Sequence, residues 1–589
     1  MHSALFSCST LALITSLVSS ERADSMIKSR SGLSPWVDVD TPESALNVTS
    51  SRGDTWTLVM SDEFNVPGRN FTPGSDHMWT ALEMPDGVNA ALEYYSFNMT
   101  DTVTESDGRG VFRIKIMEED NITYTVWNTY AKPAGFETHH MYYRAGMVQS
   151  WNKFCFQGGR MEVVAQLPAT TSSSNPDMGD IKGRVKTNSF YPTWPGIWLL
   201  GNLGRALFSQ STSRMWPWSY DECDEKFESS QRISACDGNP GSGLNAHQGR
   251  GAPEIDLLEG GGVAISTSIQ VAPGMPDKFR IIAPTDDKSP FCVFTAECTT
   301  IGANFPGIPA KAYEARDYES WYQGLRSNKK CSSPLGAEEP KSKVMEPFEY
   351  QMDALSANWP VQLAAYTSYV KYQVEWVMGS QGYIRWMVED IVIFEIPAES
   401  VENVPQDAAK SNPKKLMLEE PMYVIFNVAL STSWGTTPPN PGSPCRGDGS
   451  NAQHNAICDG FPMFMKIDYI RIYQDLSSNS TMAIGCDPST HPTKQWIEDH
   501  IDEYETTENK WIEVHGGANC KTDNDFITSL VGAFVIVLLV FVVYKIMDQR
   551  SKKAMVGAGI TQPAILSKIE MDDIPRSNKS QSGSEDKVV

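Results

Sequence analysis

At 589 residues the chain can hold one large domain with appendages, or two or three ordinary ones. Its formal charge of −23 excludes a nucleic-acid binder, whose phosphate partner demands a basic surface, and argues against broad docking on anionic lipid. The composition, 41% hydrophobic with 16 Trp, 21 Tyr and 23 Phe, is globular, and the aromatic surplus suits large cores and flat carbohydrate platforms alike.

In chain order, residues 1–20 contain the apolar run ALFSCSTLALITSLVSS, ending in small residues, and read as a signal peptide. Residues 21–54 are polar and read as a linker. Between 55 and 475 short strand signatures recur, among them TWTLVMSDEF, GVFRIKIME, GRMEVVAQLP, GYIRWMVEDIVIFEIP, MYVIFNVAL and MKIDYIRIYQ. Several alternate with period two, as Phe112, Ile114 and Ile116 do against Arg113 and Lys115. Many strands with little helical periodicity predict a large all-β sandwich, interrupted by two insertions at about 203–250 and 272–347 that wall a site. Residues 476–525 read as an acidic juxtamembrane stalk. Residues 526–544 are uncharged and would span roughly 28 Å as a helix, enough for a bilayer core. Lys545, Arg550, Lys552 and Lys553 follow that span, so the positive-inside bias keeps the 545–589 tail cytoplasmic and disordered. The expectation is a single-pass type I membrane protein of the secretory pathway or plasma membrane, its large domain luminal or extracellular.

The cysteines agree with an oxidising compartment. Cys8 lies in the signal peptide and the other ten fall between it and the span, on the luminal side, where Cys223/Cys236, Cys292/Cys298 and Cys445/Cys458 are plausible local disulfides. Their spacing, with only 9 His, does not suggest zinc, and neither metal nor cofactor is expected. Sequons at Asn47, Asn70, Asn98, Asn121 and Asn479 are candidate glycosylation sites.

The stretch GAPEIDLLEGGG, 251–262, sets Glu254, Asp256 and Glu259 among apolar neighbours. On a strand Glu254 and Asp256 share a face, whereas Glu259, five residues on, would face the other way. A bulge at Leu257-Leu258 would return it to the first face and leave Ile255 in the core. Two carboxyl groups across a bound sugar perform glycosidic cleavage, and an acid between them keeps their titrations apart. A solvated acidic strand face is the plain alternative. A calcium site would need a denser Asp/Asn loop than this one.

EIDLLE resembles the bulged catalytic strand of glycoside hydrolase family 16. LVMSDEFN, YRAGMVQSWNKFCFQGGRMEVVAQLP and TWPGIWLLGNLGR are similar, in order, to other segments of that family. YRAGMVQSWNKFCF, WPGIWLLGNLGRA, WPWSYDECD and GAPEIDLLEG look more narrowly like the fungal membrane proteins of β-1,6-glucan synthesis. The resemblance implies a concanavalin A-like β-jelly roll with a glucan cleft on its concave sheet. It implies Glu254 as nucleophile, Asp256 as its helper and Glu259 as acid/base. Trp194 and Trp198 would be sugar platforms, with Gly196 leaving room between their rings, and Arg144, Asn202, Trp434 and Gln270 are further cleft candidates. The expected function is retaining hydrolysis or transglycosylation of β-1,6- or β-1,3-glucan, with glucan as partner. A non-catalytic glucan-binding or scaffold protein of the same fold is the alternative.

Overall fold

The computed structural model describes most of residues 36–504 and the strand Trp511–His515. Residues 1–35 and 516–589, and most or all of 87–89, 129–134, 170–190, 208–231, 273–351, 402–415, 433–435 and 505–510, lie outside that description. The expected signal peptide, membrane span and tail therefore fall outside it, as does most of the 272–347 insertion with Cys292 and Cys298, although its segments Val293–Phe294 and Glu319–Leu325 are strands of an eleven-stranded sheet. No helix among the described residues is long and apolar enough to cross a membrane.

The fold is all-β. Thirteen of its strands frame the site and the core: β1 (Thr55–Asp62), β2 (Gly110–Asn128), β3 (Gly135–Ala145), β4 (Met147–Gln149), β5 (Gly159–Gln166), β6 (Trp194–Gly201), β7 (Glu254–Gly261), β8 (Ala264–Ala272), β9 (Val370–Val377), β10 (Tyr383–Val388), β11 (Ile391–Pro397), β12 (Met422–Ala429) and β13 (Met463–Gln474). They lie in two sheets. One, thirteen-stranded, runs β11-β10-β9-β5-β13-β2-β3 through its middle, and the other, eleven-stranded, runs β8-β7-β6-β12 with β4 beside β12.

Alternation decides which side of each strand meets the core. In β2, Phe112, Ile114 and Ile116 are buried, while Arg113 turns outward to Asp101, 2.6 Å away. Ile197 and Leu199 of β6, Ile255, Leu257 and Leu258 of β7, and Val424, Phe426 and Val428 of β12 meet Met161, Val163, Val374, Trp376, Ile384 and Trp386 in one apolar cluster. Each such side chain contributes about 1.5–3 kcal/mol through burial. The strand β12, MYVIFNVA, is buried along its whole length, as suits an apolar strand covered on both faces.

The ordered body is wider than the predicted 55–475. Val37 is buried, and Asn47–Thr49 pairs with β1. Beyond β13, Cys486 forms a disulfide with Cys155, and Trp496, Ile497 and Tyr504 join the core. The acids around those apolar residues make the segment read as a spacer, but four well-placed contacts suffice to dock it. The Cys223–Cys236 and Cys445–Cys458 disulfides are present as expected, whereas Cys155–Cys486, joining residues 331 apart, was not expected.

Candidate active site

β7 has the expected bulge. Across to β6, Glu254 pairs with Leu200, Asp256 with Trp198 and Glu259 with Gly196, but Leu258 pairs with Ile197 and Leu257 is passed over. On its other side β7 pairs Glu254 with Gln270, Asp256 with Ser268 and Glu259 with Ser266, and the register shifts in the same place. Directly opposed residues share a face, so all three acids stand on the side away from the core, which takes Ile255, Leu257 and Leu258. Glu254 and Glu259 are half-buried and Asp256 is buried. Both of their partner positions lie on unbroken β6, four residues apart, so the two Cα atoms are separated by roughly 13 Å along the strand. Two glutamate side chains reaching inward can narrow that gap to a sugar's width.

The strand is held at both ends. Before it, buried Arg250 makes a bidentate pair with Glu420 at 2.7 and 2.8 Å, and Glu420 also accepts the Gly251 N–H. After it, the Tyr366 hydroxyl donates to the Gly262 carbonyl at 2.8 Å. Gly261 is obligatory, because a Cβ there would lie 2.5 Å from the Thr193 carbonyl oxygen.

Among the described residues no cation pairs with the three acids, and their proton affinities rise together. Burial pushes the Glu254 carboxyl well above the usual range, reinforced by the charges of Asp256 and Glu259. Burial likewise pushes Asp256 up to about 6, against hydrogen bonds from Ser268 and Glu254 that favour its carboxylate. Glu259 is raised by burial and by Asp256, while a hydrogen bond from the Trp194 side chain opposes the rise. The trio therefore holds protons near neutral pH, with Asp256 ionising most readily.

Both of the expected tryptophans hydrogen-bond in the structure. Trp194, half-buried, hydrogen-bonds Glu259. The Trp198 indole donates to Asn427 Oδ1 at 2.9 Å, Asn427 donates to the Tyr95 hydroxyl at 3.1 Å, and Tyr95 donates to Asp86 at 3.0 Å. A Cβ at Gly196 would come within 2.6 Å of Asn427 Oδ1 and 3.3 Å of the Trp198 ring. Gly196 thus makes room for this indole–amide bond.

Gln270 is half-buried and opposite Glu254. Arg144 lies on β3, buried in a bidentate pair with Glu119 at 2.6 and 3.0 Å. Asn202 is buried just beyond β6, its amide donating to Asn152 and Thr493. Trp434 lies outside the described residues. Asn47, Asn70, Asn98 and Asn479 are exposed, and the side chain of Asn121 is outside the description.

Asn427 escaped the sequence reading, although a lone amide in the apolar run MYVIFNVA was a usable signal. Glu93 escaped it too: it is buried beside this network, accepts the Leu430 N–H at 2.8 Å, and its carboxyl is raised by burial and by Asp86.

Residues 9–289 and 348–523 match the family described as beta-glucan synthesis-associated protein SKN1/KRE6/Sbg1. The beta-glucan synthesis-associated protein SKN1 of Saccharomyces cerevisiae is 31% identical over 80% of this chain and 49% of its own length. The corresponding KRE6 protein is 29% identical over 80% of this chain and 53% of its own. The chain thus spans about half the length of these curated relatives. Among solved structures it is similar to an endo-1,3-beta-glucanase (laminarinase) catalytic domain from Thermotoga petrophila, with 15% identity, a TM-score of 0.34, and coverage of 72% of this chain and 99% of that one. The endo-beta-1,3-glucanase of Pyrococcus furiosus gives 16% identity and a TM-score of 0.35 over 74% of this chain and 100% of that one. On the family match, which takes in both the acid-bearing strand and the segment docked behind β13, the chain belongs to the SKN1/KRE6/Sbg1 family of beta-glucan synthesis-associated proteins.

Proposed function

We propose that the chain is a retaining β-glucan glycosidase or transglycosylase whose active domain faces the lumen or the cell exterior. The observation that carries this reading is the bulge in β7, which gathers three carboxyl groups on one face with no cation against them among the described residues. A solvated strand edge needs no such gathering, and metal-free binding of a neutral sugar does not call for three acids side by side.

In this reading the proton that Glu254 donates toward Asp256 passes to Asp256, and Glu254 attacks the anomeric carbon as a carboxylate. Glu259 protonates the departing glycosidic oxygen, leaving a glycosyl ester on Glu254. The Glu259 carboxylate then takes a proton from the incoming hydroxyl, which displaces Glu254 and releases the product. Water as acceptor gives hydrolysis, and a sugar hydroxyl gives transfer. The association of its relatives with beta-glucan synthesis supports transfer. The uncharged 526–544 run and the basic residues after it support a type I membrane tether, and the exposed sequons support glycosylation.

The test is incubation of the purified chain with defined β-1,3- and β-1,6-gluco-oligosaccharides, following products by mass and linkage. Longer or branched products indicate transfer, and shorter ones hydrolysis. Oligosaccharide binding with no product from the wild-type chain would sink the enzymatic reading in favour of a scaffold.

A further inference from the structure

A bulge solves one problem and creates another. It returns Glu259 to the face of Glu254, but two residues of β7 then oppose one on each neighbour, so the ladder of backbone hydrogen bonds is interrupted inside the molecule. A buried carbonyl freed in this way must find another donor. The Asp256 carbonyl has one: the indole N–H of Trp386 on β10 donates to it at 2.8 Å. Trp386 belongs to the opposite sheet and is fully buried, so this bond crosses the apolar core. Its ring is stacked on Phe394, with centroids 5.2 Å apart and planes 22° from parallel. Nothing about Trp386 permits contact with a substrate, since it stands behind the strand and the acids stand in front.

We propose that Trp386 is a positioning residue for the catalytic strand, anchoring the Asp256 peptide from behind so that Glu254 and Glu259 keep to one face. The proposal rests on the enzymatic reading above for its effect on turnover, though not for its effect on the strand. The competing arrangement is regular pairing, in which a one-residue slip turns Glu259 toward the other side. The anchor opposes that slip at the residue where it would begin. A second buried tryptophan supplies the contrast. Trp376 on β9 is just as enclosed, and its indole N–H also donates to a backbone carbonyl at 2.8 Å, but that carbonyl belongs to Leu418, outside the acid-bearing strand.

The experiment compares Trp386→Phe with Trp376→Phe in the full chain. Each substitution removes one buried N–H and keeps an aromatic ring, so a purely structural role predicts the same outcome for both. The expected result is that Trp386→Phe lowers kcat by about tenfold or more with KM within about twofold, and displaces the pH–rate profile. Trp376→Phe should leave both within about twofold. Amide hydrogen exchange reads the anchor without any turnover: β7 amides should exchange about tenfold faster in Trp386→Phe, while those of β12 do not. If Trp386→Phe does not fold, benzothienylalanine at position 386 replaces the N–H by sulfur in a ring of nearly the same shape. Equal behaviour of the two variants, or unchanged β7 exchange in the chain lacking the 386 N–H, overturns the proposal. A wild-type chain without turnover counts against the enzymatic reading alone, and exchange still decides the anchor.

Discussion

Both sheets bury carboxylates on their outer faces, and they treat them in opposite ways. On the thirteen-stranded sheet Arg160, Glu375, Arg385 and Glu395 sit directly opposite one another across β5, β9, β10 and β11, a ladder of alternating charge. The segment before β1 closes over it: Ser51 donates its N–H to Glu375 at 2.7 Å, Arg160 reaches the Thr49 carbonyl at 3.2 Å, and Arg52 lies 3.7 Å from the centre of the Tyr383 ring. On the eleven-stranded sheet Glu254, Asp256 and Glu259 have serines, an amide and two indoles around them, and among the described residues no cation. Acids matched by arginine hold the fold together and give up their chemistry. Acids left to share protons are costly to the fold and remain available to react.

The largest effect that tests this contrast is on turnover. Glu254→Gln or Glu259→Gln should lower kcat on a β-gluco-oligosaccharide by roughly 10³-fold or more, with the circular dichroism spectrum unchanged. Full activity in either variant breaks the assignment of the acid face. Next in size is the ladder. Arg385→Ala removes the guanidinium that pairs with Glu395 and donates to Ser51, leaving Glu395 only the more exposed Arg52 at 3.4 Å, and losing one member of a buried pair costs about 3–5 kcal/mol. Chemical denaturation should show that loss, and a change below about 1 kcal/mol would mean that the ladder is solvated in practice.

What could be read from the sequence follows from the same contrast. The acid face was legible because its information is local: the five-residue step from Glu254 to Glu259, with two leucines between, needs a bulge if all three acids are to share a side. Period two made the sandwich legible in the same way. The ladder was not legible, because Arg160 and Glu375 meet only once β5 and β9 are paired, and nothing near either residue announces the other. The same holds for Cys155 with Cys486 and for the chain from Trp198 through Asn427 and Tyr95 to Asp86. The segment 476–504 was read as a spacer because its acids outnumber Trp496, Ile497 and Tyr504, although those three decide where it sits. Trp194 and Trp198 were visible as residue types suited to a sugar site. Their hydrogen-bonding atoms acquire meaning only when β12 and the β7 bulge are set beside β6.

A smaller effect concerns stability, and it runs opposite to that of the ladder. The Asp256 carboxyl is raised from its usual range to about 6 in the folded chain, so between about pH 4 and 6 the folded state binds more protons than the unfolded one. Stability therefore falls as pH rises through that window. Asp256→Asn removes the titration yet keeps an oxygen for Ser268 and a donor for Glu254. It should raise stability by about 1 kcal/mol at pH 7, a gain of roughly 2 °C in Tm, and the advantage should disappear below about pH 4. A variant less stable than wild type at pH 7 would show that the charge of Asp256 is compensated after all.

The smallest expected effect separates two roles for Trp194. As a sugar platform it acts through its ring face, and Trp194→Phe would then alter KM while leaving the pH profile in place. As a partner of Glu259 it acts through its indole N–H, which favours the carboxylate and holds the Glu259 carboxyl below where burial and Asp256 would otherwise put it. Glu259 must carry a proton to act as the acid. Removing the N–H lets that proton persist to higher pH, so the alkaline limb of the kcat profile should move upward. The change in kcat at its maximum should stay within about tenfold, since one hydrogen bond is at stake. A limb that stays in place together with a raised KM would return Trp194 to the platform role, and would leave Glu259 tuned by burial and Asp256 alone.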